Sequence, residues 1–198
     1  MSTSKPHSTV CVYAASSAAV HPEYHDAARR LGVFLAEQKL AIMYGGGAYG
    51  LMGALADGAL SRGGRVIGVL PSFMKELEWG HSGLTELRLV EDMRTRKQEL
   101  LAGSDAVVAL PGGSGTLDEL LEAVSLKRLG LFLGPIVLIN TRRYYDPLLQ
   151  LMDTAIAERF MDERHRSIWQ VVREPEQVLE AFRSAPPWSA DARKFATR

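Results

Sequence analysis

The chain has 198 residues, of which 46% are hydrophobic, so it is long enough to bury one domain-sized core without disulfide bonds. Lys and Arg together number 23, as do Asp and Glu, and this balance argues against a partner that is a nucleic acid polymer. No apolar stretch has the length of a membrane span or the pattern of a signal peptide, which predicts a cytoplasmic protein with no membrane partner. The single cysteine, Cys11, fits a reducing compartment and is expected to be a buried core residue.

Short apolar runs alternate with amphipathic stretches along the chain. Strands are predicted over residues 10–14, 40–44, 65–70, 105–110 and 135–139. Helices are predicted over residues 24–38, 50–62, 94–102, 117–129, 147–158 and 176–183, and helical spacing places Met152, Ile156 and Phe160 in the core. Apolar strands that alternate with helices indicate a parallel sheet with both faces buried. The expected fold is a single Rossmann-like, doubly wound α/β domain over residues 9–183, between loosely held segments at 1–8 and 184–198.

The strongest functional signal is the segment Leu110-Pro111-Gly112-Gly113-Ser114-Gly115-Thr116-Leu117-Asp118-Glu119. It joins an apolar strand to a helix, so its backbone N–H groups and the positive helix end are expected to form an anion site, most often for phosphate. A carboxylate as close as Glu119 would repel a phosphate and is better placed to act on a group attached to it, such as a sugar. The spacing therefore predicts a phosphosugar or nucleotide enzyme.

A second glycine loop, Gly45-Gly46-Gly47, follows an earlier strand and precedes the helix that begins near Gly50. Taken alone, it is compatible with a tight strand–helix turn that only needs glycine for its backbone angles. Two such loops at one edge of a parallel sheet favour a site in which each loop binds a different part of one ligand. Neither loop matches the dinucleotide-binding register, and neither contains the lysine of a P-loop.

Three cations, Arg94, Arg96 and Lys97, follow Asp92, which is expected to cap a helix. They form either a solvated surface or a cationic clamp on a phosphate or a sugar hydroxyl, and both alternatives stay open. His81, in a glycine-containing loop, is equally compatible with a structural role and with a ligand role. The histidines show no metal-binding spacing with one another or with the cysteine, so no metal is expected.

Three segments together resemble the LOG ("Lonely Guy") family of cytokinin-activating nucleoside 5′-monophosphate phosphoribohydrolases. These segments are Tyr44-Gly45-Gly46-Gly47-x-x-Gly50-Leu51-Met52-Gly53, Met93-Arg94-x-Arg96-Lys97 and Pro111-Gly112-Gly113-x-Gly115-Thr116-x-x-Glu119. The likeness extends in order over roughly residues 9 to 183 and includes Tyr144-Tyr145-Asp146. Such sequences often carry the label lysine decarboxylase, but no pyridoxal-phosphate lysine context is visible here.

The resemblance implies a homodimeric enzyme that cleaves the N-glycosidic bond of a purine 5′-monophosphate, releasing free base and ribose 5-phosphate without a cofactor. It implies that Arg96 and Glu119 form the catalytic pair. Ribosyl transfer passes through an oxocarbenium-like state, which a carboxylate stabilises, while a protonated arginine fixes phosphate or orients the carboxylate. The expected binding residues are Ser16, Ser17, Gly45, Gly46, Gly47, Met93, Arg94, Lys97, Pro111, Gly112, Gly113, Ser114, Gly115 and Thr116.

Two departures from the family pattern leave the base preference open between cytokinin and adenine. Ala14-Ala15-Ser16-Ser17 stands where the family has a Cys-Gly-Ser-Ser-like stretch, and its serines serve either as nucleotide donors or as helix caps. Leu126 and Arg128 stand where the family tends to have Trp and Gln, in the helix expected to contribute to the dimer and the base pocket. The alternative function is a non-catalytic protein of the same fold that binds nucleotides or molybdenum cofactor, although such a carrier has no need of Glu119.

Overall fold

The computed structural model describes residues 8–76 and 79–195, and these residues form a parallel α/β domain. Its strands are β1 (Thr9–Tyr13), β2 (Ala41–Tyr44), β3 (Val66–Pro71), β4 (Glu86–Val90), β5 (Ala106–Ala109), β6 (Ile136–Ile139) and β7 (Trp169–Val172). Its helices are α1 (Pro22–Glu37), α2 (Gly50–Leu60), α3 (Ser72–Glu76), α4 (Met93–Ala102), α5 (Ser114–Arg128), α6 (Asp146–Ala157) and α7 (Val178–Ser184). Short 3₁₀ turns cover Thr141–Arg143, Glu163–Ser167, Pro175–Gln177 and Ala190–Lys194.

The sheet has the order β4-β3-β2-β1-β5-β6-β7, and every neighbouring pair of strands is parallel. The chain winds outward through β2, β3 and β4, then returns to the far side of β1 and continues through β5. This reversal makes the carboxyl ends of β1 and β5 a switch point, where parallel α/β sheets bind their ligands. Tyr13 and Ala109 are register partners there, so the loops that follow the two strands start side by side. The predicted Rossmann-like, doubly wound sheet is confirmed.

Alternate residues of the central strands supply two apolar cores, one on each face of the sheet. Val10 and Val12 of β1 pack with α1, α2 and α7, whereas Cys11 and Tyr13 face α4, α5 and α6. Cys11 is fully buried, as predicted, and burial raises the pKa of its thiol. Both faces of the sheet are therefore covered, which leaves the carboxyl edge for function.

Several elements differ from the sequence prediction. Strands β4 and β7 and helix α3 were not predicted, because both strands lie at sheet edges and alternate or mix polar with apolar residues instead of forming an apolar run. Helix α5 begins at Ser114, three positions before the predicted start. The prediction that Phe160 is a core residue is wrong, because α6 ends at Ala157 and the Phe160 side chain is 79% exposed.

The C-terminal segment packs onto the domain over its described part, residues 184–195, where the sequence had suggested a loose end. The Trp188 indole donates a hydrogen bond of 2.6 Å to the carbonyl of Lys127, at the end of α5, and Ala192 is buried. Within the described residues, no helix combines the length and the apolar character that crossing a bilayer requires.

Candidate active site

A cavity of about 700 Å³ opens at the carboxyl ends of β1, β2 and β5. Residues 14–18, which follow β1, form one side, and the start of α5 from Gly113 to Thr116 forms another. Arg96 and Glu119 contribute the charged side chains of the lining. Gly45 and Gly47 also line the cavity, and the remaining lining residues are apolar or aromatic: Tyr49, Met52, Leu70, Met74, Trp79 and Met93. The lining thus combines a few polar and charged groups with apolar side chains, as ligand sites commonly do.

The start of helix α5 presents backbone N–H groups to this cavity. Gly113 is the N-cap residue, and no side chain caps the helix. The first N–H groups of a helix have no acceptor within it, so those of Ser114, Gly115 and Thr116 are available to an anion. Gly113, Ser114 and Gly115 are exposed and Thr116 is buried, yet all four line the cavity. These are the residues for which the sequence predicts an anion site.

Arg96 reaches the cavity from helix α4, which Asp92 caps by accepting a 2.7 Å hydrogen bond from the Thr95 N–H. Its guanidinium donates from Nε to the Val69 carbonyl at 3.1 Å and from Nη2 to the Gly45 carbonyl at 3.3 Å. The close approach depends on glycine, because a Cβ at Gly45 would lie 2.0 Å from Nη2. The glycine loop therefore fixes the guanidinium in a buried position.

Glu119 lies on the first turns of α5, facing this guanidinium. Its Oε1 atom is 3.4 Å from Nη1 of Arg96, and both side chains are 10% exposed. Loss of hydration on burial raises the pKa of Glu119, while the neighbouring positive charge of Arg96 lowers it by less. The result is a carboxyl group whose pKa is raised above its ordinary value, so its ionised form is a stronger base than an exposed glutamate.

The remaining predicted cations do not line the cavity. Arg94 is exposed, and the Lys97 ammonium lies 2.9 Å from carboxylate oxygens of both Asp118 and Glu122. Lys97 therefore links α4 to α5 next to the Arg96–Glu119 pair, where the sequence had suggested a contact with phosphate. Its ion pairs with Glu122 and Asp118 raise the pKa of this ammonium.

The other predicted binding residues divide between the surface and the interior. Ser16, Ser17, Gly45, Gly47 and Met93 line the cavity. Gly46, Pro111 and Gly112 are buried and absent from its lining. The Thr116 side chain covers Gly112 so closely that a Cβ there would lie 2.1 Å from Oγ1. These buried residues support the loops from behind.

The second glycine loop binds a neighbouring loop of its own chain. The N–H groups of Leu51 and Met52, at the start of α2, both donate to the carbonyl of Ala15, at 2.9 and 3.2 Å. Gly50 has a φ of +62°, and a Cβ there would lie 2.5 Å from the carbonyl carbon of Ser16. The start of α2 thus holds residues 15–17 at the cavity.

The segment from Trp79 to Gly83 is hydrogen-bonded to this second loop. Trp79 lines the cavity, although the sequence analysis does not single it out. The Trp79 carbonyl accepts from the Ala48 N–H at 3.0 Å. His81 accepts the Gly83 N–H at Nδ1 (3.0 Å), which leaves Nε2 to donate to Asp57 Oδ1 (3.1 Å). His81 therefore has the structural role, since both ring nitrogens are used. The sequence signal that could have pointed to Trp79 is weak: an aromatic residue directly before Gly80 in a short loop.

Comparison with known proteins gives both relatives in sequence and relatives in fold. Residues 52–182 match the family described as "Possible lysine decarboxylase". A cytokinin riboside 5′-monophosphate phosphoribohydrolase of Rhodococcoides fascians is 43% identical over 163 residues, which cover 82% of each chain. One of Arabidopsis thaliana is 40% identical over 80% of this chain and 75% of its own.

Among solved structures, the molybdenum cofactor binding protein of Rippkaea orientalis superimposes with a TM-score of 0.68 at 24% identity, covering 92% of this chain and 98% of its own. The molybdenum cofactor carrier protein of Chlamydomonas reinhardtii superimposes with a TM-score of 0.69 at 20% identity, covering 90% and 98%. At these identities the likeness concerns the fold alone.

Proposed function

Because this chain belongs to the LOG family of cytokinin riboside 5′-monophosphate phosphoribohydrolases, we propose that it hydrolyses the N-glycosidic bond of a purine nucleoside 5′-monophosphate. The products are the free base and ribose 5-phosphate. One observation carries the proposal: Glu119, a buried carboxyl group with a raised pKa, opens into a cavity that has a helix N-terminus on its wall. A carboxylate in this position acts on the sugar of a bound nucleotide, while the helix N-terminus binds its phosphate.

The reaction breaks the bond between C1′ of the ribose and a ring nitrogen of the purine. The bonding electrons leave with the base, which takes up a proton, and a water molecule adds its oxygen to C1′ and releases a proton. Positive charge builds up on the ribose in the transition state, and ionised Glu119 stabilises it or accepts the proton of the water. Arg96 keeps the carboxylate oriented, because its own position is fixed by the carbonyls of Gly45 and Val69.

The two kinds of lining group, the helix start and the apolar side chains, suggest how the nucleotide lies. The 5′-phosphate binds at the N–H groups of residues 113–116, where the helix end favours an anion. The purine lies against the apolar side chains of Met52, Leu70, Met74 and Trp79. The ribose between them then faces Glu119.

We also propose that the active enzyme is a homodimer that associates through α5. Leu121, on this helix, is 39% exposed, and it borders a small apolar groove formed with Leu148, Leu149 and Met152 of α6. Leu126, in contrast, packs against the core beneath the helix, so it is the less exposed of the two leucines. An exposed apolar side chain beside an apolar groove is the kind of surface that a two-fold partner covers.

The proposal is tested by incubating the protein with AMP and with isopentenyladenosine 5′-monophosphate and quantifying released base by chromatography. Base and ribose 5-phosphate are expected in equal amounts from at least one nucleotide. Tight binding of both nucleotides without any base release would indicate the alternative, a carrier of nucleotide or cofactor. The ratio of the two rates also decides the base preference that the sequence leaves open.

A further inference from the structure

Two adjacent tyrosines in the turn after β6 contact the loop that leads into α5. The Tyr145 hydroxyl donates to the Leu110 carbonyl at 2.7 Å, and the Tyr144 hydroxyl donates to the Gly112 carbonyl. We propose that Tyr144 is a positioning residue that aims the Gly113 N–H at the 5′-phosphate. This inference rests on the proposed function, since it concerns the phosphate of the same substrate.

The argument follows from the geometry of one peptide group. The carbonyl of Gly112 and the N–H of Gly113 belong to the same planar unit, and the described chain contains no cis peptide bond. In a trans peptide these two groups point in opposite directions. Because the Gly112 carbonyl is held by the hydroxyl of Tyr144, the Gly113 N–H points the other way. Because Gly113 lines the cavity, we infer that this direction leads towards the anion site.

Glycine on both sides makes this peptide group easy to rotate, so an external contact is needed to fix it. Gly112 is restrained on one side by Tyr144 and is covered on another by the buried Thr116 side chain. No side chain caps α5 at Gly113. Among the residues that the structure describes, the Tyr144 hydroxyl is thus the polar side-chain group that fixes the orientation of this peptide group.

The turn that carries the tyrosines has an unusual backbone. Arg142 and Arg143 both lie in the left-handed region, with φ angles of 54° and 61°, which residues other than glycine rarely adopt. Asn140 stabilises the turn by accepting the Tyr145 N–H at 2.7 Å and donating to Asp146 at 2.8 Å. Two residues with strained backbone angles directly before Tyr144 indicate that this turn is held in a particular conformation, and that conformation places the tyrosines.

The Tyr144 ring is held independently of its hydroxyl. It packs edge-to-face against Tyr145, with ring centroids 5.1 Å apart, and against Tyr24 of α1 at 6.2 Å. A Tyr144→Phe variant therefore keeps the ring in place and loses only the hydrogen bond to Gly112. This makes phenylalanine a clean probe of the hydroxyl.

Tyr145→Phe is the matched control. It removes the same kind of hydrogen bond from the same loop, but the peptide group that it releases is Leu110–Pro111, and proline has no N–H to aim. The control variant is expected to be less stable, because it leaves a buried carbonyl unpaired. It should nevertheless retain the preference for a phosphorylated ligand.

The experiment measures the dissociation constants of AMP and adenosine by calorimetry for the wild type and both variants, with Glu119→Gln introduced into all three proteins so that AMP is not consumed during the titration. Tyr144→Phe is expected to weaken AMP binding about tenfold and to leave adenosine binding unchanged, because one donor to a charged group is lost. Tyr145→Phe is expected to keep the wild-type ratio of the two constants. A wild-type ratio in Tyr144→Phe, or an equal loss in both variants, would overturn the inference.

Turnover measured in parallel separates this inference from the proposed function. If the wild type binds AMP better than adenosine but releases no base, the proposed hydrolysis fails while the binding ratios still test Tyr144. If base is released and the ratios do not change in Tyr144→Phe, the hydrolysis stands and the positioning role fails. Melting curves of both variants confirm that each is folded at the assay temperature.

Discussion

The guanidinium of Arg96 lies 3.4 Å from the carboxylate of Glu119, and the two residues reach this contact from different helices, α4 and α5. The pair is not symmetrical. Arg96 also donates to two backbone carbonyls, whereas burial raises the pKa of Glu119 despite the positive neighbour. Arg96 is therefore a fixed element of the candidate site, and we propose that Glu119 is the member whose ionisation carries the chemistry.

Replacing Glu119 by Gln is expected to lower kcat for base release by about 10²–10⁴-fold, because the amide neither stabilises the ribosyl cation nor accepts a proton. Nucleotide binding should persist, since the phosphate site is formed by backbone N–H groups of α5. The measurements are base release by chromatography and AMP binding by calorimetry.

The matched control is Asp118→Asn, which makes the same chemical change one residue away on a side chain that is 61% exposed. This variant should keep most of the activity. Near-normal turnover in Glu119→Gln would show that the role assigned to this carboxylate is wrong.

The same substitution is expected to stabilise the fold in a pH-dependent manner. Glu119 has a higher pKa in the folded protein than in the unfolded chain, so its ionisation opposes folding. Below the unfolded pKa of about 4.3, both states are protonated and the penalty vanishes. As the pH rises through the folded pKa the penalty builds up, and the Tm of Glu119→Gln should increasingly exceed that of the wild type.

A change of 1 kcal/mol shifts the Tm of a chain of this size by about 2–4 °C, which fluorimetry resolves. The comparison is made at several values from about pH 4, near the unfolded pKa of a glutamate, up to about pH 8. A Tm difference that shrinks as the pH rises would contradict the raised pKa.

Gly45→Ala tests how the arginine is held. The new Cβ would lie 2.0 Å from Nη2 of Arg96, so the guanidinium must leave the Gly45 carbonyl and with it the carboxylate of Glu119. The atom displaced is the tip of a long side chain, so the fold should survive while kcat falls by about tenfold or more. Circular dichroism and base release are the two measurements.

A double-variant cycle provides the control for this substitution. If Ala at position 45 acts through the guanidinium, it should add little to the loss already caused by Arg96→Ala. Independent, additive losses in the Gly45→Ala/Arg96→Ala double variant would mean that the glycine serves the substrate directly.

Sequence patterns predict those parts of the candidate site whose residues are close together in the chain. The strand, glycines and helix of residues 106–119 are contiguous, and the cap at Asp92 is local, so both follow from short-range rules. Successive residues of a helix point about 100° apart, and this separates neighbours in the motif. Arg96 therefore enters the cavity while Lys97 contacts Asp118 and Glu122, a partition that no linear motif reveals.

Contacts between segments that are far apart in the chain could not be predicted from the sequence. Trp79 lines the cavity because its segment bonds to the loop at Ala48, and Tyr144 contacts Gly112 across 32 positions. Edge strand β4 lacks the continuous apolar pattern of the central strands, since one side of it faces solvent. These relationships arise only when the sheet assembles.

The dimer proposal predicts that Leu121→Glu yields a monomer and lowers activity, because a charge would be placed in an apolar contact. Leu89→Glu is the matched control, since Leu89 is 45% exposed on edge strand β4, away from α5. The control should leave the oligomeric state unchanged. Light scattering at the assay concentration measures the mass, and a fully active wild-type monomer would refute the proposal.

The most direct test of the account compares kcat/KM for AMP and adenosine with the wild-type protein. We propose that the start of α5 binds the phosphate and that Glu119 acts on the attached ribose, so removal of the phosphate should lower kcat/KM by about tenfold to several hundredfold. AMP cleaved much faster than adenosine is the predicted result. Equal values of kcat/KM for the two compounds would contradict the account.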